Sequence, residues 1–262
     1  MTVWRTIATG LAALAMAAGD SNAANILYYK TGGEPQKADR ITYKPSTQEY
    51  VVEFEGTIIP IAKARVDHLE IDKPADFDKA VQAIGAGQAD AGIAALETIV
   101  TKYNMLVWDN AAREVLGRAY LKKDPKKAVE VLDALFANLP KTEIQPETHL
   151  LYWQCLLAAG RGATLKKELD DVIATGTRDM AAAAQIMRGD VNKSAGLKED
   201  ALLDYLRTVI LFENVRAVQP EALFKASQML DELRDPRADE LRKKLVQEYP
   251  KSEFAQQAGA RL

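Results

Sequence analysis

Cysteine is almost missing from this sequence: Cys155 is the single one among 262 residues. One thiol closes no internal disulfide and builds no cysteine-based zinc cluster. Histidine is scarce too, and His68 and His149 lack the three- or four-residue partner spacing that sets two metal ligands on one helix face. Aromatic residues make up 7%, with 15 glycines and 10 prolines, which disfavours a β-sandwich and excludes collagen-like or low-complexity designs. No basic excess exists either. Lys plus Arg come to 34 against 37 acidic residues, a net charge of −3, so nothing is left over to displace counterions from nucleic-acid phosphates. The chain also lacks a P-loop, a GxSxG elbow, an HExxH helix and an EF-hand loop. What it has is 48% hydrophobic and 27% charged residues, enough for a sizeable core in one or two domains.

Residues 1–23 hold one positive charge, Arg5, then an uncharged run from Thr6 to Gly19, then a polar stretch ending Ser21-Asn22-Ala23. That run is shorter than the roughly 20 residues that span a bilayer. Small residues at Ser21 and Ala23 suit a signal peptidase, so a signal peptide cleaved before Ala24 is expected. The mature chain would then be exported, periplasmic or secreted, with no transmembrane span. Cys155 sits in the apolar helical run LLYWQCLLAAG, where a buried, inert thiol is expected.

Residues 24–73 differ in composition from everything after them. ILYYK, DRITYK, EYVVEFE, TIIPIA and VDHLEI are five short runs rich in Ile, Val and Tyr, separated by turn signals such as Pro45-Ser46-Thr47 and Glu55-Gly56. Tyr50, Val52 and Phe54 alternate with Val51, Glu53 and Glu55, the period of a half-buried strand. A small curled sheet or barrel is expected, with Pro60 on an edge strand or a bulge because it has no N–H to donate. The order of the runs resembles SH3-like or Sm-like small barrels.

From Pro74 onward the pattern is helical, with expected helices at 75–86, 89–103, 107–122, 125–138, 146–159, 163–174, 178–192, 197–213, 219–233 and 236–248, then a short tail from Lys251. Gly92, Ala128, Leu165, Ala201 and Ala238 recur at spacings of 36, 37, 36 and 37. Four of the five are small, which lets two helices approach closely. A period in the mid-thirties with two helices per unit marks a helical solenoid.

Leu116-Gly117-Arg118-Ala119-Tyr120, then Ala128, then Pro140 carry the clearest unit, and Ala226, Ala238 and Tyr249-Pro250 carry another. These residues resemble the tetratricopeptide repeat (TPR), with its Leu-Gly, Tyr, Ala and closing Pro. The resemblance covers roughly residues 75–262; it departs from the pattern at Leu165, in place of a small residue, and at Glu213, in place of proline. Leu241 to Gln257 looks like the Tyr-Pro-x-Ser segments of exported bacterial repeat proteins of the cell envelope. The resemblance implies a fold in the α+β multidomain class: a small N-terminal β-barrel at 24–73, then an all-α TPR-like solenoid of about five helix pairs at 74–262. It also implies a concave surface lined by the first helix of each pair, which holds a protein or peptide.

One branch of the family grips a C-terminal carboxylate with Lys and Asn on those first helices. Here the matching stretch is Ala111, Glu114 and Arg118, so that clamp is not expected. Helical-wheel placement puts Glu114, Arg118, Gln154 and Arg188 on the partner-binding surface. No catalytic residue, cofactor or metal is expected, and the carboxylate pairs Asp170-Asp171 and Glu199-Asp200 read as solvated faces or helix N-terminal charges. The lysines of Lys122-Lys123-Asp124-Pro125-Lys126-Lys127 read as an exposed turn, with a patch for anionic lipid or cell-wall polymer as the alternative, and the adhesion tripeptide Arg188-Gly189-Asp190 sits near an expected helix end, which speaks against adhesion. The reading favoured is a non-enzymatic exported adaptor. The alternatives are a self-associating structural envelope protein, a possible homo-oligomer, and an enzyme of unknown type.

Overall fold

The computed structural model describes residues 25–260, so the expected signal peptide lies outside the described residues. The chain divides into two compact units, one ending at Pro74 and one beginning at Ala75.

The first unit contains two three-stranded antiparallel sheets. Strands β1 (Asn25–Tyr29), β2 (Gln36–Ala38) and β6 (Val66–Glu70) form one in the order β2-β1-β6; β3 (Arg40–Lys44), β4 (Glu49–Phe54) and β5 (Thr57–Ala62) form the other in chain order. Six strands appear where five runs were expected. The addition is β2, whose sequence Gln-Lys-Ala carries no β-branched or aromatic signal; its pairing with β1 holds it in the sheet. Glu55 and Gly56 take φ of 48° and 76°, the double positive that a two-residue hairpin loop requires. Pro60, on the edge strand β5, faces Val51 of β4, and there its missing N–H costs no ladder bond. Tyr50 and Val52 turn inward with Leu27, Ile41, Ile61 and Val66, all buried.

The second unit is a run of antiparallel helix pairs: α1 (Phe77–Gly85) with α2 (Ala89–Lys102), α3 (Trp108–Lys123) with α4 (Pro125–Asn138), α5 (Pro146–Ala158) with α6 (Gly162–Thr175), α7 (Arg178–Ser194) with α8 (Lys198–Leu211), and α9 (Gln219–Glu232) with α10 (Ala238–Glu248). An eleventh helix, α11 (Glu253–Gly259), replaces the expected tail. Ser252 starts it by accepting from the Ala255 N–H, and Ala255 and Ala258 are buried, so it covers the otherwise open end of the last pair. Asp124 caps α4 by accepting from the Lys127 N–H, with Pro125 in the first turn, which explains the abrupt turn inside the second pair.

The sequence period is a packing register. Gly92, Ala128, Leu165, Ala201 and Ala238, one on each even-numbered helix, are all buried. A Cβ at Gly92 would stand 2.6 Å from the Ala80 carbonyl oxygen on α1. One at Gly117 would stand 2.9 Å from Leu132 on α4. Ala80, Gly117, Trp153, Gly189 and Ala226 form a second buried row on the odd-numbered helices, at spacings of 37, 36, 36 and 37. In the third pair both register positions are large, Trp153 and Leu165, each fully buried. That pair meets through a buried indole, whose Nε1–H donates to Glu168 on α6 at 2.8 Å. This pair therefore departs from the close small-residue crossing of its neighbours.

The core comes in two parts. One apolar cluster runs from Phe77 on α1 to Val191 on α7; the other runs from Ile186 on α7 to Ala258 on α11. Buried polar groups, Gln185, Asn192 and Asp204 among them, occupy the α7–α8 crossing where the two clusters adjoin.

Candidate functional site

Odd-numbered helices pack on one another, α1 on α3, α3 on α5 and α5 on α7, whereas even-numbered helices pack chiefly on their odd-numbered neighbours. From α1 to α7 the odd-numbered helices are therefore the more closely packed row. Their burial agrees: from Ala181 to Asn192 on α7 no residue is exposed, because this row is covered on most sides.

The residues left accessible on that row include three of the four placed by helical-wheel reasoning. At the α3–α5 crossing the Cys155 thiol on α5 points at the Gly117 carbonyl on α3, 3.9 Å away. Arg118 follows Gly117 and Gln154 precedes Cys155; Arg118 is half-buried and Gln154 exposed. Arg118 donates to Glu114 one turn earlier, and the two side chains keep 27% and 33% of their surface. Arg188 is elsewhere. Its guanidinium donates to Asp170 on α6 at 2.7 Å and to Asp204 on α8 at 2.7 and 3.1 Å, so it braces three helices. Asp204 also accepts from Gln185, Asn192 and Arg207. These bonds compensate a carboxylate that is almost fully buried.

The Arg-Gly-Asp tripeptide is spent on the same crossing. Arg188 holds the two aspartates, Gly189 makes room for the Tyr205 ring, and Asp190 accepts from the Tyr205 hydroxyl and from Lys225 on α9. Burial works against the Lys225 charge, but Glu221 and Asp190 outweigh it and hold its pKa above the usual lysine value. Burial, reinforced by Asp190, pushes the Tyr205 hydroxyl far up, so it remains a donor.

The lysine-rich turn is partly a staple. Lys127 bonds Glu97 on α2 at 2.6 Å, and its ammonium lies 4.5 Å from the centre of the Tyr120 ring. The Tyr120 hydroxyl donates to the same carboxylate at 2.7 Å. Lys123 pairs with Asp90, also on α2. The hydrogen bond from Lys127, aided by Tyr120, lowers the Glu97 pKa, and the bond to Glu97 raises that of Lys127. Sequence reasoning missed this function of the turn, because its acidic partners lie some thirty residues upstream.

His68 stacks on Tyr28 with ring centres 4.2 Å apart and bonds Asp67 at 2.8 Å. His149 packs edge-on to Phe136 and near Trp153. Burial lifts the Cys155 thiol to about 12, so no thiolate nucleophile forms near neutrality. Among the described residues no group of three His, Cys, Asp or Glu side chains could hold a metal ion, and no helix is long and apolar enough to cross a membrane.

No family model and no curated protein matches this chain. Among solved structures it is similar to MamA protein, at 18% identity over 67% of this chain and 90% of that one, with a TM-score of 0.48. It is also similar to YrrB, described as a TPR protein with an unusual peptide-binding site, at 13% identity over 72% and 92% of the two chains, with a TM-score of 0.44.

Proposed function

We propose that the chain is a non-enzymatic exported adaptor that holds a protein or peptide segment on the inner face of its TPR-like solenoid. The observation that supports this reading is the row of odd-numbered helices, which pack on one another from α1 to α7 yet leave Glu114, Arg118 and Gln154 accessible beside the α3–α5 crossing. Glu114 and Arg118 present both signs of charge one helical turn apart, and Gln154 adds an amide that donates and accepts. Such a surface suits a polar, extended or helical segment, with affinity drawn from a few anchors rather than from area. Arg188 contributes by holding α7 between α6 and α8. Export rests on the first 23 residues, and the cell envelope on the Tyr-Pro-Lys-Ser stretch at 249–252.

The test is an in-cell crosslink and pull-down of the wild type beside a variant carrying Glu114→Ala, Arg118→Ala and Gln154→Ala. The reading expects a partner held by the wild type and lost by the variant, with the variant's melting temperature unchanged. Equal capture by both moves the surface elsewhere. Capture of this chain alone by both favours the self-associating structural reading.

A further inference from the structure

Of six large hydrophobic residues exposed among the described residues, four lie on or at the ends of one helix, α8: Leu197 (45%), Leu203 (48%), Ile210 (67%) and Leu211 (59%). Leu203 and Ile210 are seven apart, two turns, and share a stripe with half-buried Leu206. The opposite side of α8 carries the buried Ala201, Asp204, Tyr205 and Thr208 that pack inward, so the stripe has no cover within its own unit. Charge along the stripe is ordered: Glu199 and Asp200 flank it at the N-terminal end, and Arg207, half-exposed, flanks it one turn past the middle.

We propose that the exposed face of α8 docks against α8 of a second copy of this chain, antiparallel, in a two-fold dimer. The stripe is self-complementary. An antiparallel alignment centred between Leu203 and Asp204 sets Leu203 beside the partner's Leu203 and Ile210 beside the N-terminal end of the partner's α8. The same alignment sets Arg207 opposite the partner's Asp200, and the two-fold axis repeats that pair, as an isologous contact must. A parallel alignment would instead stack acid on acid and Arg207 on Arg207. The antiparallel choice also sets the two helix dipoles in opposition, which favours it. One helix face buries much less than the roughly 1,600 Å² of a standard stable interface, so the dimer is a weak one that fills as concentration rises. This inference is independent of the adaptor reading, since α8 is an even-numbered helix and Glu114, Arg118 and Gln154 lie on odd-numbered ones.

Sedimentation velocity of the full chain, from low micromolar to several hundred micromolar, tests it. The expected result is a monomer–dimer equilibrium that Leu203→Glu and Ile210→Glu each weaken more than tenfold, with far-UV circular dichroism and melting unchanged. Two charge variants make the test specific to a second copy. Arg207→Glu leaves the stripe wholly acidic, and Glu199→Arg with Asp200→Arg leaves it wholly basic; because Arg207 also donates to Asp204, the melting of Arg207→Glu is measured beside that of Arg207→Gln, which should weaken the dimer too. Each charge variant alone should be monomeric, and an equimolar mixture of the two should form heterodimers that dissociate as salt is raised. A chain that stays monomeric throughout the range overturns the proposal. So does dimerisation untouched by the Leu203 and Ile210 substitutions, or a mixture that fails to associate.

Discussion

Gly189 lies beneath the ring of Tyr205: a Cβ added there would fall 2.4 Å from Cε1 and 2.8 Å from Cδ1. The ring has little freedom to move, because its hydroxyl is tied to Asp190 at 2.7 Å and the side chain is fully buried. Gly189→Ala should therefore cost about 1–3 kcal/mol through overpacking, read as a lower denaturant midpoint at unchanged m-value. Gly85→Ala is the matched control. Nothing stands within 4 Å of its Cβ position and its φ is not positive, so that variant should be neutral or slightly stabilising. Equal losses at both sites would show that close approach is not what Gly189 provides.

Asp204 is the hub of the α7–α8 crossing and accepts from Gln185, Arg188, Asn192 and Arg207. Asp204→Ala should destabilise by about 3–5 kcal/mol, because it strands buried donors and a guanidinium that has no second buried acceptor of this kind. Chemical denaturation of the variant checks this figure. A loss below about 1 kcal/mol would mean that water replaces the carboxylate readily.

Cys155 is buried and its thiol is pushed up to about 12 by burial. Iodoacetamide at mildly alkaline pH should leave the native protein unmodified and label it fully in denaturant. The non-reducing gel should show no disulfide-linked dimer. Rapid labelling of the native chain would show the α3–α5 crossing to be open.

The Glu97 carboxylate is held below the usual carboxylate range, first by the hydrogen bond from Lys127. A depressed folded-state pKa contributes stability above the unfolded value, near 4.3, and that stability is lost as pH falls through the lower folded value. Glu97→Gln should thus lower the melting temperature near neutral pH, and the gap to wild type should close in strong acid. The effect is small, about 0.5 kcal/mol, because both partners are more than two-fifths exposed. A gap that widens in acid would contradict the assignment.

Most of this architecture was legible in the sequence, for identifiable reasons. Ten helices were readable because Gly, Pro and Asp-Pro breakers separate them, and the 36–37-residue recurrence located one buried contact on every even-numbered helix. Glu55-Gly56 marked its hairpin because that loop needs two positive φ angles. The failures are equally physical. Strand β2 carries polar and small residues that only its neighbour holds extended, and α11 is too short to show a helical period against its surroundings. On the candidate surface, wheel arguments picked out Glu114, Arg118 and Gln154, which the structure leaves accessible. They gave no sign that Arg188 is occupied by Asp170 and Asp204, because those partners come from two other helices.

The central claim is that a partner lies on the row of odd-numbered helices. A photo-crosslinking residue at Gln154, on the odd-numbered α5, compared in cells with one at Glu130, exposed on the even-numbered α4, tests it most directly. Adducts of one defined partner at position 154 and none at 130 are the predicted result. Adducts at 130 alone, or equal adducts at both, would contradict the claim.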